Sequence, residues 1–266
     1  MAGALRELTP SRMHALVFAA GRGTRLRPYT DATPKPLLEI EGDPLLERTL
    51  NTVVDAGVEA IVIVVGYRAD EIIDAIGTAV DGIPVRYAVQ NDQQGLAHAV
   101  HTAFEDGYGV TALSDTHRDA VPDDVMTVNG DNVFDSDCTL SRLIDQHHEP
   151  GVDGTLLLDC VRRNEAKATA RCALADDGTV RALESTTDAE SGVIAAGVQT
   201  HDARALFRAC QTVERGDTGE YELTDALESL LADGRRYVGV ELEGWHLNVN
   251  TPADLERARN MLERLQ

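Results

Sequence analysis

Short apolar runs alternate with amphipathic stretches along this chain of 266 residues. The run Ile61–Val65 is apolar throughout and lacks the polar alternation of a strand with one face in water. Strands of this kind are typical of parallel sheets whose faces are covered by crossover helices. The pattern therefore predicts an α/β fold: a Rossmann-like, doubly wound domain of three layers (α/β/α) around a central mixed, mostly parallel sheet.

The predicted elements follow the apolar periodicity along the chain. Strands are predicted at His14–Ala20, Ile61–Val65, Val85–Val89, Val125–Val128, Thr155–Val161, Ala168–Leu174, Val180–Leu183, Val193–Gln199 and Tyr237–Leu242. The first helix is predicted to begin at Asp43, a capping residue followed by Pro44, and to end at Gly57. Further helices are predicted at Ala69–Ile76, at Leu96–Phe104, and from Pro252 to the end of the chain. The polar stretch Asp106–Asp124 is expected to be a surface excursion, and His147 and His148 are expected on a solvated helix end.

Nothing in the sequence divides the chain into separate units. It contains no internal repeat and no Pro/Ser-rich linker, which predicts one domain over residues 1–266 with residues 1–12 as an N-terminal extension. No apolar run approaches the roughly 20 residues that span a bilayer, so no membrane contact is expected. Residues 1–12 lack the apolar core of a secretory signal, which favours the cytoplasm. The sequence leaves open whether the chain forms a homo-oligomer.

The chain is strongly acidic, with 24 Lys plus Arg against 45 Asp plus Glu and a net charge of −21. A surface of this sign repels nucleic-acid backbones, so no nucleic-acid partner is expected. Scattered acidic residues together with few lysines are typical of proteins from salt-loving organisms. High ionic strength would screen the self-repulsion of such a surface.

A glycine-rich loop with three arginines follows the first predicted strand, in the order Gly21-Arg22-Gly23-Thr24-Arg25-Leu26-Arg27. Glycines let backbone N–H groups approach phosphate oxygens, and guanidinium groups match those oxygens in geometry and charge. The loop therefore indicates a polyanionic ligand. Leu26 stands where the dinucleotide fingerprint needs a third glycine, and no P-loop sequence is present. On these residues alone, an ordinary turn with exposed arginines remains the alternative.

The segment Ala19–Pro28, followed by Pro34-Lys35-Pro36-Leu37-Leu38, resembles the opening motif of the sugar-phosphate nucleotidylyltransferases, which include glucose-1-phosphate thymidylyl- and uridylyltransferases. The resemblance implies a Mg²⁺-dependent enzyme that transfers a nucleoside monophosphate from a nucleoside triphosphate to a sugar 1-phosphate. UTP or dTTP is favoured as the donor, and the products would be an NDP-sugar and pyrophosphate. The resemblance runs from Leu16 to the last helix, so the C-terminal β-helical domain of some relatives is not expected.

The same resemblance implies which residues bind the nucleotide. Arg25 would hold the β- and γ-phosphates, and Lys35 would reach the α-phosphate; these two are the predicted catalytic residues. The segment Gln90–Ala97 is similar to the base-binding segment of the family, with an amide contact from Gln90 and close backbone approach at Gly95. The predicted nucleotide-binding residues are Ala19, Ala20, Gly21, Gly23, Thr24, Gln90 and Gly95.

Two late motifs imply the metal ligands. Asn129-Gly130-Asp131 follows an apolar strand and resembles the Gly-Asp turn of the family, in which Asp131 would coordinate Mg²⁺. The stretch Trp245–Pro252 resembles the motif that supplies the second ligand, and aligning on Thr251-Pro252 makes that ligand Asn248. Asn250 is the alternative if the register differs.

The acceptor is the least determined part of the predicted site. The resemblance implies substrate-binding roles for Gly130, Glu184 and Gly197. The family follows this glutamate with a lysine that contacts the sugar phosphate, whereas this chain has Ser185, so Lys167 or Arg171 would have to replace it.

This departure keeps other functions open. One is a cytidylyl- or other nucleotidylyltransferase that acts on an alditol or inositol phosphate. A second is a non-catalytic regulatory subunit that binds nucleotide sugars, and a third is a phosphate-binding domain without transferase activity.

Overall fold

The structure, a computed structural model, describes residues 12–112, 120–135, 138, 140–162, 171–184, 191–216 and 218–263; residues 160–162, 184, 191 and 192 are described by their backbone alone. The strands are β1 (Met13–Ala19), β2 (Glu39–Ile40), β3 (Asp43–Pro44), β4 (Ala60–Val65), β5 (Ala79–Val80), β6 (Ile83–Val89), β7 (Asp124–Asn129), β8 (Asn132–Phe134), β9 (Gly154–Arg162), β10 (Arg171–Leu174), β11 (Val180–Glu184), β12 (Ser191–Asp202), β13 (Tyr237–Glu241) and β14 (His246–Asn248). The helices are α1 (Tyr29–Ala32), α2 (Leu45–Asp55), α3 (Ala69–Ile76), α4 (Leu96–Thr102), α5 (Ser141–His147), α6 (Ala203–Thr212), α7 (Leu223–Ala232) and α8 (Pro252–Glu263).

A mixed sheet forms the middle of the fold. Its centre has the strand order β7-β1-β4-β6 with parallel pairing throughout, so that Leu16 of β1 lies between Val62 of β4 and Thr127 of β7. Beyond β7 the pairing is mixed, because β12 pairs antiparallel with β7, β9 and β10, whereas β13 pairs parallel with β9. The predicted fold class, a doubly wound α/β domain with a mixed sheet, is confirmed.

Helices cover both faces of this sheet. Successive side chains of a strand point to opposite faces, and in β1 they enter two different cores. Leu16 packs into a core with α4, α6 and α7, whereas Ala15 and Val17 pack into a second core with α2, α3 and α5. Because both faces are buried, β1 and β4 need apolar side chains at consecutive positions, as their sequences have.

A third, smaller core lies beside the carboxyl ends of the central strands. It joins the loop after β1, the segment before α2, the β8–β14 pair and α8. Its buried members are Leu26, Leu38, Ile40, Leu45, Val133, Leu247, Val249, Leu255 and Ala258. Segments that are distant in the sequence are thereby held next to one another.

Two local predictions were wrong because tertiary contacts override the local pattern. Asp43 does not cap a helix: it pairs with Ile40 in the small β2–β3 sheet, its carboxylate contacts Arg48 at 2.8 Å, and α2 begins at Leu45. His147 is buried rather than solvated. Its Nδ1 lies 3.0 Å from Thr200 Oγ1 and its Nε2 lies 3.0 Å from a carboxylate oxygen of Asp124.

The predicted excursion 106–124 also begins differently. The described part starts with a π-helical turn, Ala103–Gly107, and buries Tyr108 and Val110 in the core. Residues 113–119, and residues 168–170 of one predicted strand, lie outside the described residues. None of the described helices is both long and apolar enough to cross a membrane.

We expect acid pH to destabilise the fold through His201, which is fully buried in β12. Desolvation, with a smaller contribution from His147, lowers the pKa of His201 from 6.5 to about 3. The unfolded chain therefore binds one more proton than the folded chain between these values, and stability falls as pH falls through that window. For this one group, the free energy of unfolding falls by up to about 1.4 kcal/mol for each pH unit.

The measurement is urea unfolding of the wild type and of His201→Gln between pH 6.5 and 4.5. The free energy of unfolding should depend less steeply on pH in the variant, by about 1.4 kcal/mol per pH unit. This difference in slope does not depend on how stable the variant is at pH 7. His148→Gln, at an exposed position next to His147, is the matched control. Equal slopes for wild type and His201→Gln would contradict this account.

Candidate active site

A cleft of about 400 Å³ opens at the carboxyl ends of the central strands. The chain runs from β1 outward to β4 and β6 and then returns to β7 on the other side of β1, so the connections leave β1 and β7 in opposite directions. Such a reversal of strand order leaves a crevice between the two strand ends. The residues that line the cleft include Ala19, Ala20, Gly21, Arg25, Lys35, Gln90, Gln93, Gly95, Asn129, Gly130, Asp131, Glu220, Asn248 and Asn250.

Lys35 is buried in the floor of this cleft, with 9% of the residue exposed. It begins a 3-10 turn after Pro34, and its Nζ donates to Asp131 Oδ2 at 2.5 Å and to Asn250 Oδ1 at 3.1 Å. The carboxylate offsets the cost of burying the ammonium group, and the two contacts fix where its charge lies. The structure therefore places one oriented positive charge beside the ends of β1 and β7.

Arg25 lies at the more exposed rim of the cleft, where its Nη2 donates to Asn250 Oδ1 at 3.0 Å. Asn250 Nδ2 in turn donates to Asn248 Oδ1 at 2.6 Å. The loop is held from behind by Asp254 of α8, whose carboxylate accepts from Asn250 N at 3.1 Å and Thr251 N at 2.7 Å. Both cations of the described cleft lining therefore share one amide oxygen.

The glycine loop approaches Lys35 closely at Gly23. This residue has φ +62°, and a Cβ there would lie 2.8 Å from Lys35 Cβ. A larger residue would displace the buried lysine. Gly23 therefore lies against Lys35 and does not line the cleft. Thr24 is exposed and does not line the cleft either. Of the predicted loop residues, the structure brings Ala19, Ala20 and Gly21 to the cleft.

Gln90 follows β6, which lies on the other side of β1 from β7, and it is buried, with 4% of the residue exposed. Its Nε2 donates to Gly95 O at 3.2 Å. Gly95 precedes α4 with φ +107°, and a Cβ there would lie 2.7 Å from Tyr221 N. Only glycine fits this close backbone approach, which holds the start of α4 against the segment before α7.

Asp131 and Asn248 have the chemistry of a hard-cation site. Asp131 Oδ1 is buried and has no hydrogen-bond partner among the described residues, while Oδ2 is bonded to Lys35. Asn248 presents an amide oxygen from the neighbouring strand β14. Oxygen donors of this kind suit Mg²⁺, which takes few protein ligands and completes its shell with water and phosphate. Among the described residues, no group of three or more His, Cys, Asp or Glu side chains could hold a metal.

Of the three residues predicted to bind the acceptor, Gly130 lines the cleft, whereas Gly197 and Glu184 are not among the lining residues. Gly130 lines the cleft, and its N–H donates to Phe18 O at 2.9 Å. Gly197 lies behind the lining, where a Cβ would meet Asn129 Nδ2 at 2.7 Å. Glu184 ends β11, with three strands between it and β1, and its side chain lies outside the description. Lys167 lies outside the described residues, whereas Arg171 pairs with Glu184 across β10 and β11.

Several residues that the sequence reading did not single out also line the cleft. Gln93 belongs to the same segment as Gln90, and Glu220 belongs to the stretch before α7. Asn129 is the last residue of β7 and the first of the Asn129-Gly130-Asp131 motif. Position at a strand end was the available signal for Asn129, and the resemblance of the stretch 219–225 to the family was the available signal for Glu220.

Residues 14–264 match the sequence family described as nucleotidyl transferase. The chain belongs to the nucleotidyl transferase family. The match extends across nearly all of the described residues, from β1 to the end of α8.

Two relatives are consistent with this family. The nucleotidyltransferase is 33% identical over 252 residues to the UTP–glucose-1-phosphate uridylyltransferase AglF of Haloferax volcanii, covering 94% of this chain and 97% of that protein. It is 29% identical over 250 residues to the bifunctional protein GlmU of Methanococcus maripaludis, covering 93% of this chain and 54% of that protein.

The fold of this nucleotidyltransferase also matches a solved structure. A UDP-glucose pyrophosphorylase complexed with UDP-glucose superposes with a TM-score of 0.77, covering 96% of this chain and 99% of that chain. The identity is 19%, so this likeness shows the fold alone.

The close approach at Gly95 leads to a stability prediction for the nucleotidyltransferase. Gly95→Ala should lose at least about 3 kcal/mol, because left-handed backbone strain adds to overlap with the Tyr221 backbone. Gly57→Ala is the matched control, since Gly57 has φ +92° but open space around it. It should lose only about 1–2 kcal/mol, from backbone strain alone. Urea unfolding measures both, and equal losses would contradict the proposed contact.

Proposed function

We propose that this nucleotidyltransferase transfers a uridylyl group from UTP to a sugar 1-phosphate, of which glucose 1-phosphate is the leading candidate. The products would be a UDP-sugar and pyrophosphate. The observation that carries the proposal is the buried Lys35 ammonium between Asp131 and Asn250, at the floor of the cleft. The similarity to AglF supports UTP and glucose 1-phosphate as substrates; dTTP is the second donor to test.

Positioning and charge stabilisation account for the chemistry that these residues would perform. The amides of the loop after β1, with Arg25, would hold the β- and γ-phosphates that leave as pyrophosphate. Lys35 Nζ would stabilise the charge that develops on the α-phosphate. The attacking oxygen belongs to a phosphate that is already ionised, so an in-line displacement needs no general base. The described residues lining the cleft accordingly include no His or Cys.

We further propose that Asp131 and Asn248 hold Mg²⁺, which when bound would neutralise charge on the phosphate oxygens. The partnerless Oδ1 of Asp131 supports this role. Asn250 is the weaker candidate, because its Oδ1 already accepts from both Lys35 and Arg25. Asn248 Oδ1 accepts one hydrogen bond, from Asn250, and keeps a lone pair.

Arg171 is our candidate for the missing lysine of the acceptor site. It lies beside Glu184 in the sheet, and its Nε is buried without a hydrogen-bond partner among the described residues. A guanidinium group suits a sugar phosphate. We also propose that the chain forms one catalytic domain and that it acts in the cytoplasm, where nucleoside triphosphates are available.

The test is pyrophosphate release at molar KCl with Mg²⁺, using UTP, dTTP, CTP, ATP and GTP against a panel of sugar, alditol and inositol phosphates. We expect the highest turnover with UTP and a sugar 1-phosphate. Selective turnover of CTP with an alditol or inositol phosphate would replace this proposal with the alternative acceptor class. Absence of turnover with every pair would overturn the enzymatic function and favour a binding subunit.

Lys35→Ala should lower kcat by about 10²- to 10³-fold, because the variant lacks the charge that would stabilise the α-phosphate in the transition state. Arg142→Ala is the matched control. Arg142 lies on α5, outside the cleft lining, and the variant removes its cation from an exposed ion pair with Glu243. Circular dichroism checks that both variants are folded. Wild-type turnover in Lys35→Ala would refute the role of this lysine.

A further inference from the structure

The side-chain amide of Gln90 is held in one orientation by two partners. Its Nε2 donates to Gly95 O at 3.2 Å and lies 2.8 Å from Nδ1 of His98, which is on α4. A carbonyl oxygen can only accept a hydrogen bond, so Gly95 O shows which end of the amide is the nitrogen, and the shorter contact with His98 Nδ1 strengthens that orientation. The oxygen end, Oε1, then has no hydrogen-bond partner among the described residues, and Gln90 lines the cleft.

The contact with His98 requires a particular form of the imidazole ring. Since Gln90 Nε2 can only donate, His98 Nδ1 must accept and carries no proton, which leaves the ring proton on Nε2. Desolvation, and then the nearby His101, lowers the pKa of His98, while Asp92 and Glu105 oppose the shift and Arg215 adds to it. A neutral ring at neutral pH agrees with an accepting Nδ1.

An amide held in this way discriminates between nucleobases. Oε1 can accept a hydrogen bond from the N3–H group of uracil or thymine. Cytosine has an acceptor at N3, so it would face Oε1 with two lone pairs opposed. If the amide turned over, Nε2 would face the cleft and the preference would reverse. The partner that prevents the turn therefore contributes to base selection.

We propose that His98 is a positioning residue for base selection, which holds Gln90 Oε1 toward the cleft and so favours uracil and thymine nucleotides over cytosine nucleotides. This inference rests on the proposed function, in that the cleft binds the nucleotide of a uridylyl donor. His98 acts through Gln90 and does not itself contact the base. The ring is reached from a second cavity of about 340 Å³, which it lines together with His101 and Tyr221.

Two variants at position 98 separate positioning from packing. His98→Leu fills similar space but offers no acceptor, so the amide of Gln90 keeps only the longer hydrogen bond to Gly95 O and turns over more readily. His98→Asn can place its Oδ1 near the former position of Nδ1 and accept the same hydrogen bond. A role in packing alone would affect all nucleotides equally and would not be rescued by asparagine.

The measurement is the dissociation constant of UDP and of CDP by titration calorimetry, with kcat/KM for UTP and CTP as the second readout. The wild type should prefer UDP. His98→Leu should lower the UDP-to-CDP preference about tenfold, the effect of one hydrogen bond to the base, mainly by weakening UDP. His98→Asn should keep the preference within about threefold of wild type.

Because the dissociation constants of UDP and CDP are measured without turnover, this test is separate from the test of the proposed function. If the wild type turns over no substrate pair, the proposed function fails, but the binding preference still tests His98. If His98→Leu does not fold, His98→Ala also lacks an acceptor and takes its place. An unchanged preference in the variant without an acceptor, loss of preference in His98→Asn, or a wild type that does not prefer UDP to CDP overturns the proposal.

Discussion

The buried ammonium group of Lys35 is the interaction around which the cleft is organised. It joins three segments that are far apart in the sequence, since its partners Asp131 and Asn250 lie 96 and 215 positions away. A buried charge without these partners would cost several kcal/mol. The nearby small core, which includes Leu26, Leu38 and Leu247, holds the same segments by apolar contact. Charge pairing and packing therefore favour the same arrangement.

The order of the strands determines where this arrangement can form. The chain leaves β1 toward β4 and returns on the other side at β7, so the loops after β1 and β7 diverge at one edge of the sheet. Backbone amides and a carboxylate meet there without steric competition from crossover helices. The β8–β14 pair then brings Asn248 next to Asp131.

The charge of the cleft contrasts with that of the whole chain. The net charge is −21, yet the described cleft lining contains both Arg25 and Lys35. A polyanionic substrate is repelled at long range and attracted only close to the cleft. High ionic strength screens the long-range repulsion between the substrate and the acidic surface. It screens the short contacts inside the partly buried cleft much less.

The sequence by itself determined the central strands and the residues at their carboxyl ends, because apolar runs and short motifs are local patterns. Ala19–Gly21, Gln90 and Asp131 could all be predicted in this way. Only the tertiary structure decided the contacts of Asn250, the burial of His147 and the contact between His98 and Gln90. These depend on packing between elements: His147 sits at the end of a short helix, and only the approach of Asp124 and Thr200 makes its burial favourable. Periodicity within one segment carries no information about the polar partner that another segment will bring.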